Sequence, residues 1–218
     1  DFRKSLHRSQ RFRLKSYIFK ELGLKDYKEV WASMINYVLS RTERDQDEVW
    51  FLEHKSIYTL GLGATEEDIL DPENIPVIRS DRGGQVTYHG PGQLMVYFIF
   101  NVRKLGWGPK TLINNLEQLI IDVLAQFKIA GSREQGKPGV YVDGKKIASI
   151  GLKIKRGYSY HGLSLNIDMD LGPFKRINTC GYEELEVTQM KNYCNVSLNE
   201  VKKVIKKYIK NDLSSKAT

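Results

Sequence analysis

Apolar residues along the chain switch between two spacings. Leu24, Tyr27, Val30, Trp31, Met34, Ile35, Val38 and Leu39 recur every three to four positions. That stripe predicts an amphipathic helix over 25–41. A second stripe, Ile113, Leu116, Leu119, Ile120, Val123, Leu124 and Phe127, predicts a helix over 110–128. A third, Val201, Val204, Ile205, Tyr208 and Ile209, follows Ser197 and Glu200, an S-x-x-E pair that caps a first turn reciprocally, so a helix starts near 197. Between these stripes the runs are strand-sized: 17–22, 49–54, 76–80 and 94–101, the last apolar from Leu94 through Phe100. The segment 139–154 reads as a hairpin turning at Asp143-Gly144, a pair suited to two positive φ angles, and a second turn at 155–157 leads into an alternating strand. Residues 61–76, with Gly, Pro, Asp and Asn, read as a loop, and the glycine-rich 83–92 reads as a surface hairpin with a polar turn or as a ligand-binding loop. Strands and helices mix without regular βαβ alternation, which predicts an α/β fold of the α+β type: a mixed, largely antiparallel sheet with flanking helices.

The 218 residues are 41% hydrophobic and 28% charged, enough apolar material for one core and too much for a disordered chain. The expected division is a basic N-terminal extension over 1–16, a single domain over 17–211 and a tail over 212–218. No run approaches the roughly 18 apolar residues a membrane-spanning helix needs. The basic N-terminus has no apolar segment behind it, so it is not a secretory signal, though it could be the remnant of a transit peptide. The formal net charge of +8 points to an acidic partner. Much of it lies at the two ends. One internal stretch, 128–176, is also basic, with ten Lys and Arg against four Asp and Glu, and it makes Lys153, Lys155 and Arg156 a candidate docking surface.

Four segments carry candidate chemistry. The first is RGGQVTYHGPGQL, residues 82–94, where four glycines and a proline flank Thr87, Tyr88 and His89. Glycines let a backbone approach a ligand closely, but neither the P-loop nor the G-x-G-x-x-G spacing is present. The second is Lys145-Lys146-Ile147-Ala148-Ser149. Strict alternation puts Lys146 with Ala148 on one face and Lys145 with Ile147 on the other, so one lysine can point inward, which is costly unless it meets a partner. The third is His161, set in a strand before Gly162. The fourth is Cys180, before Gly181 in a polar stretch near cations, where a reactive thiol is expected. Cys194 has no such neighbours and reads as structural or incidental. Two cysteines without a C-x-x-C pair make neither a disulfide framework nor a cysteine zinc site. A thiol, an inward lysine and two histidines together suggest covalent acyl transfer.

In this order, RGGQVTYHGPGQL, GVYVDGKKIASIGLKI and YHGLSLNIDMDLGPFKRINTCGY resemble the lipoyl(octanoyl) transferase family over about 22–190. The resemblance implies a fold similar to the catalytic domain of biotin and lipoate protein ligases. It implies transfer of an octanoyl or lipoyl group from acyl carrier protein to a lysine of lipoyl domains, those of 2-oxoacid dehydrogenases and the glycine cleavage H protein. This would be the first step of endogenous protein lipoylation, in the bacterial cytoplasm or an organelle. Cys180 would be the nucleophile and Lys146 the general acid/base and thiolate partner. Substrate would bind along Arg82, Gly83, Gly84, Gln85, Val86, Thr87, Tyr88 and His89, along Ser149, Ile150 and Gly151, and along His161, Gly162, Leu163 and Ser164. Val86, Tyr88, Leu152 and Leu163 would wall the acyl slot, and His89 and His161 would line it. No cofactor, metal, nucleic acid or membrane is implied, and a monomer is expected.

Thioester exchange is nearly isoenergetic and thioester-to-amide transfer is downhill, so this route needs no ATP. The alternative within the fold is an ATP-dependent lipoate or biotin ligase, which needs an adenylate site and no Cys180. A nucleic-acid-binding module would account for the charge, but basic and aromatic residues do not interleave in a known motif. A catalytically dead binding protein is disfavoured by the intact Lys146 and Cys180.

Overall fold

Alternation along two adjacent strands sorts the core into two layers. In β2 (Glu48–His54), Val49 and Phe51 face one way and Trp50 and Leu52 the other. In β6 (Gln93–Ile99), Leu94, Val96 and Phe98 join the first set while Met95, Tyr97 and Ile99 join the second. A computed structural model describes residues 17–178 and 185–213, so Cys180 and the expected extension over 1–16 lie outside the described residues. The other elements are strands β1 (Ile18–Lys25), β3 (Ile57–Leu60), β4 (Val77–Arg79), β5 (Val86–His89), β7 (Ser132–Glu134), β8 (Lys137–Val142), β9 (Lys145–Lys155) and β10 (Tyr158–Asn166), and helices α1 (Tyr27–Ser40), α2 (Val102–Leu105), α3 (Pro109–Gln126) and α4 (Leu198–Tyr208).

The main sheet runs β1-β2-β6-β10-β9-β8-β7 and is antiparallel except for the parallel β1–β2 pair. Helices α3 and α4 cover its first face and α1 its second. A small sheet, β4-β3-β5, turns Tyr58, Leu60, Val86 and Tyr88 onto a separate cluster with Phe174 and Ile177.

The long helices begin where local chemistry tells them to. Asp26 caps α1, its carboxylate accepting from the Lys28 N–H at 2.8 Å. Pro109 sits in the first turn of α3, where a missing N–H costs nothing. The Ser197–Glu200 capping box opens α4 as expected. Both hairpin turns also fall where expected, the first with the positive φ anticipated at Asp143 and Gly144, the second with positive φ at Arg156 and Gly157. Leu24 is a correction. The pairing with β2 continues through Lys25, so Leu24 belongs to β1 and is exposed. β5 lies inside the glycine-rich 83–92 segment, in keeping with the hairpin reading. β3 and α2, four residues each, are too short to show a period.

Two irregularities shape the functional region. Val140 pairs with Ala148 but Tyr141 with Lys146, so Ile147 is an extra residue, a β-bulge in β9. Strict alternation therefore fails here. Ile147 and Ala148 both join the α3/α4 core, and Lys146 turns to the opposite face, over the Tyr141 ring. The second irregularity is His161, whose φ of 60° interrupts the β10–β6 ladder between the pairs Gly162–Tyr97 and Tyr158–Asn101 without changing its register. Ser159 bridges the gap, its hydroxyl donating to the Phe98 carbonyl at 2.7 Å and accepting from the Phe100 N–H at 3.1 Å. Ser159→Ala is therefore expected to cost about 1–3 kcal/mol in urea unfolding. An unchanged midpoint would show that the ladder closes without the hydroxyl.

Candidate active site

The pairing of β9 with β8 ends at Ala148, and beyond it the edge of β9 is free to take another partner. The glycine-rich segment supplies one, as the Gly83 N–H donates to the Leu152 carbonyl at 2.9 Å. That approach depends on Gly151, where a Cβ would lie 2.8 Å from the Gly83 oxygen. Cross-strand from it stands Gly162, with Ser149 opposite Ser164 farther along. These small residues floor a cavity of about 500 Å³ between the main sheet and the small one.

Every residue expected to bind substrate lines this cavity except Tyr88, and so does Lys146. Tyr88 lies elsewhere. In β5 it joins the cluster of the small sheet, packing edge-on against Phe174 with its hydroxyl 3.0 Å from Ser56 Oγ. Val86, Leu152 and Leu163 do line the space, joined by Met95 and Ile113, which sequence reasoning missed. Arg82 lines it as well, but its guanidinium donates to the Thr59 carbonyl at 2.7 Å, the Gln85 carbonyl at 2.8 Å and the Gly83 carbonyl at 3.0 Å. It thereby braces the shape of the segment it belongs to.

Lys146 is 2% exposed. Its Nζ stands 5.3 Å from the Tyr141 ring centroid, a cation–π distance. Its backbone pairs with residues downstream of Cys180: the Lys146 N–H donates to the Glu186 carbonyl and the Thr188 N–H to the Lys146 carbonyl, both at 2.9 Å. Lys145 points outward and meets the Glu186 carboxylate at 2.5 Å. Cys194 is half-buried against the α3/α4 core, and burial pushes its thiol up, in keeping with a structural residue.

The other end of the cavity holds a ring cluster that sequence reasoning only half found. Tyr27, the first residue of α1, stacks on His89 at 5.9 Å and on His161 at 6.4 Å and tilts against His54 at 5.0 Å. Burial holds all three imidazoles below their ordinary range, His54 down to about 4. His54 Nε2 lies 2.7 Å from the Tyr97 hydroxyl, and His89 Nδ1 lies 2.7 Å from Gln93 Oε1. Partial burial would raise Asp81, but hydrogen bonds from His161, Tyr160 and Trp31 outweigh it and bring the carboxyl down to about 2. An ionised Asp81 accepts from His161 Nε2 at 2.9 Å, which fixes the tautomer and leaves Nδ1 as an acceptor. That Nδ1, Thr87 Oγ1 and Gln85 Oε1 are buried without hydrogen-bond partners among the described residues. All three belong to cavity-lining residues, so a ligand carrying N–H or O–H groups would be held here.

The chain is similar to known proteins in sequence and in fold. Residues 26–210 match the lipoyl protein ligase A/B catalytic domain. The chain is 50% identical over 173 residues to an octanoyltransferase of Vibrio atlanticus, covering 79% of each chain. In fold it is similar to a lipoate-protein ligase A bound with ATP, with a TM-score of 0.77 at 15% identity, covering 90% of this chain and 85% of that one. It is similar also to the biotin protein ligase of Aquifex aeolicus, with a TM-score of 0.54 at 12% identity, covering 92% and 70%. The expected biotin/lipoate ligase fold is therefore the observed one.

The buried imidazoles make stability depend on pH. His54 refuses a proton until about pH 4 in the folded chain, whereas the unfolded chain takes it up near 6.5. Its contribution is complete above pH 6.5 and is lost as pH falls toward 4, on the order of 3 kcal/mol in all. Replacing His54 by Gln, which can still meet Tyr97, is expected to flatten the acid limb of a stability–pH curve. A limb as steep as that of the wild type would assign it elsewhere.

Proposed function

We propose that this chain, which belongs to the lipoyl protein ligase A/B catalytic domain family and, as an acyltransferase, to its octanoyltransferases, takes an octanoyl or lipoyl group from acyl carrier protein onto Cys180 and passes it to a lysine of a lipoyl domain. The observation that carries this reading is Lys146, buried, turned into the cavity by the Ile147 bulge, and tied through its backbone to Glu186 and Thr188, a few residues beyond Cys180.

The chemistry balances without an added activator. The Cys180 sulfur, its proton passed to Lys146, attacks the thioester carbonyl. The carbon–sulfur bond to the carrier breaks, and the departing thiolate takes a proton back. The amine of the lipoyl-domain lysine then attacks the Cys180 thioester, an amide forms, and the proton lost by the amine returns through Lys146 to the thiol. The substrate arrives activated as a thioester. The likeness to the ATP-bound ligase is one of fold at 15% identity, whereas half the aligned residues are shared with the octanoyltransferase, and this favours transferase over ligase chemistry. Leu152, Leu163 and Met95 offer the acyl chain an apolar wall, and each methylene buried contributes about 0.8 kcal/mol. The family match supports a catalytic unit within 17–211. A cytoplasmic monomer is the expected form.

Mixing the enzyme with octanoyl-carrier protein should give an acyl adduct by intact-mass spectrometry, lost in Cys180→Ser and slowed in Lys146→Ala. A wild-type enzyme that turns over with no adduct under single-turnover conditions would remove the covalent route. Lys137 and Lys153 line the cavity and Lys155 lies exposed beyond it, a basic surface suited to an acidic carrier. Arg156 instead donates to the Leu39 carbonyl, so the test uses Lys153→Glu with Lys155→Glu. The pair is expected to weaken use of the carrier protein more than use of a small octanoyl thioester. Equal losses would place the docking surface elsewhere.

A further inference from the structure

Lys146 can lie where it does only because position 139 is glycine. A Cβ there would stand 2.9 Å from Lys146 Cε, 3.4 Å from its Nζ and 2.6 Å from the Ala148 oxygen. The glycine also holds φ at 133°, a region that side-chain-bearing residues avoid. Such a conformation persists where its surroundings over-determine it, and here something does hold it. The Gly139 N–H donates to Glu117 Oε1 at 3.0 Å.

Glu117 is otherwise hard to explain. It belongs to the buried face of α3, whose other members are Leu112, Leu116, Leu119, Ile120, Val123 and Leu124, and it is 6% exposed. A carboxylate on that face is costly unless fully engaged. Its second oxygen accepts from Arg133 Nε at 2.9 Å, and Arg133 in turn donates to the Asn114 carbonyl and to Gln118 Oε1, each at 3.0 Å. The carboxylate is thus held on both oxygens, one fixed to α3 through Arg133 and the other aimed at the one backbone position that gives Lys146 its room.

We propose that Glu117 is a positioning residue for Lys146. It acts through Gly139, fixing the backbone over which the lysine arm lies and so fixing where its Nζ stands. This rests on the acid–base reading of Lys146 and adds a device that neither the family likeness nor the motifs assign. It does not touch substrate.

The test is a double-mutant cycle on single-turnover octanoyl transfer from carrier protein. Glu117→Ala is measured with Lys146 present and again in Lys146→Ala. The expected result is a loss of about tenfold or more in the first background and little further loss in the second, because the lysine it positions is gone. Glu117→Gln, whose amide oxygen can still accept from Gly139, is expected to recover most of the loss. Equal fold-losses in the two backgrounds would overturn the proposal, as would a Gln variant as slow as the Ala variant at unchanged thermal stability. Should Glu117→Ala fail to fold, Gly139→Ala carries the same cycle. A Lys146→Ala enzyme as fast as wild type would remove the acid–base reading itself, which tells the two failures apart.

Discussion

The cavity exists because two backbones are allowed into contact where β9 has lost its strand partner. An unpaired strand edge must find hydrogen bonds somewhere, and the segment at 82–84 answers it with the Gly83 N–H on the Leu152 carbonyl. The absence of side chains at Gly151 and at Gly162 across from it sets the separation. A larger residue at 151 would push the small sheet away and open the roof. From Lys146 to Leu152 the strand rises about 20 Å, so a ligand held between the lysine and the glycine-rich segment lies along β9.

One added residue decides what that strand presents. A one-residue shift in a strand exchanges its faces. Without the extra Ile147, Lys146 would share a face with Ala148 and enter a layer of Val140, Leu116 and Ile120, where an ammonium is desolvated with nothing to meet it. With the bulge, Ile147 fills that layer and Lys146 lies over an aromatic ring face. The same residue thus serves the core by its side chain and the site by its position in the count. Ser159 plays a comparable part across the sheet, restoring backbone hydrogen bonds that the His161 conformation breaks.

Much of this was legible in the sequence because much of it is periodic. The three long helices, both hairpin turns, the α4 capping box and the buried strand β6 follow from spacing and turn chemistry alone. The glycine-rich segment and the Lys146 strand stood out by composition, and all but Tyr88 of the expected binding residues line one cavity. Tyr88 was only half readable, since alternation along 86–89 separates it from Thr87 and His89 but groups it with Val86, which lines the cavity. The bulge was not, because nothing local marks Ile147 as unpaired and only the pairing with β8 shows it. His54, Asp81 and Glu117 were hidden for a related reason. Each acts on a residue 22 to 107 positions away in sequence, and no period connects them.

The ligases that share this fold show how little the scaffold alone dictates chemistry. If the acyl group arrives as a thioester, the protein has to supply a nucleophile, a proton carrier and a place for the chain, and it must keep other groups from competing for the proton. The ring cluster meets that last need. Three imidazoles near one another and near the Arg82 guanidinium cannot all carry charge. Burial lowers them first, and for His89 the neighbouring His54 and Arg82 press in the same direction. They are left as neutral hydrogen-bonding groups, with His161 fixed in one tautomer by Asp81. Proton traffic on the proposed route then falls to Lys146 and the thiol, while the histidines orient what binds beside them.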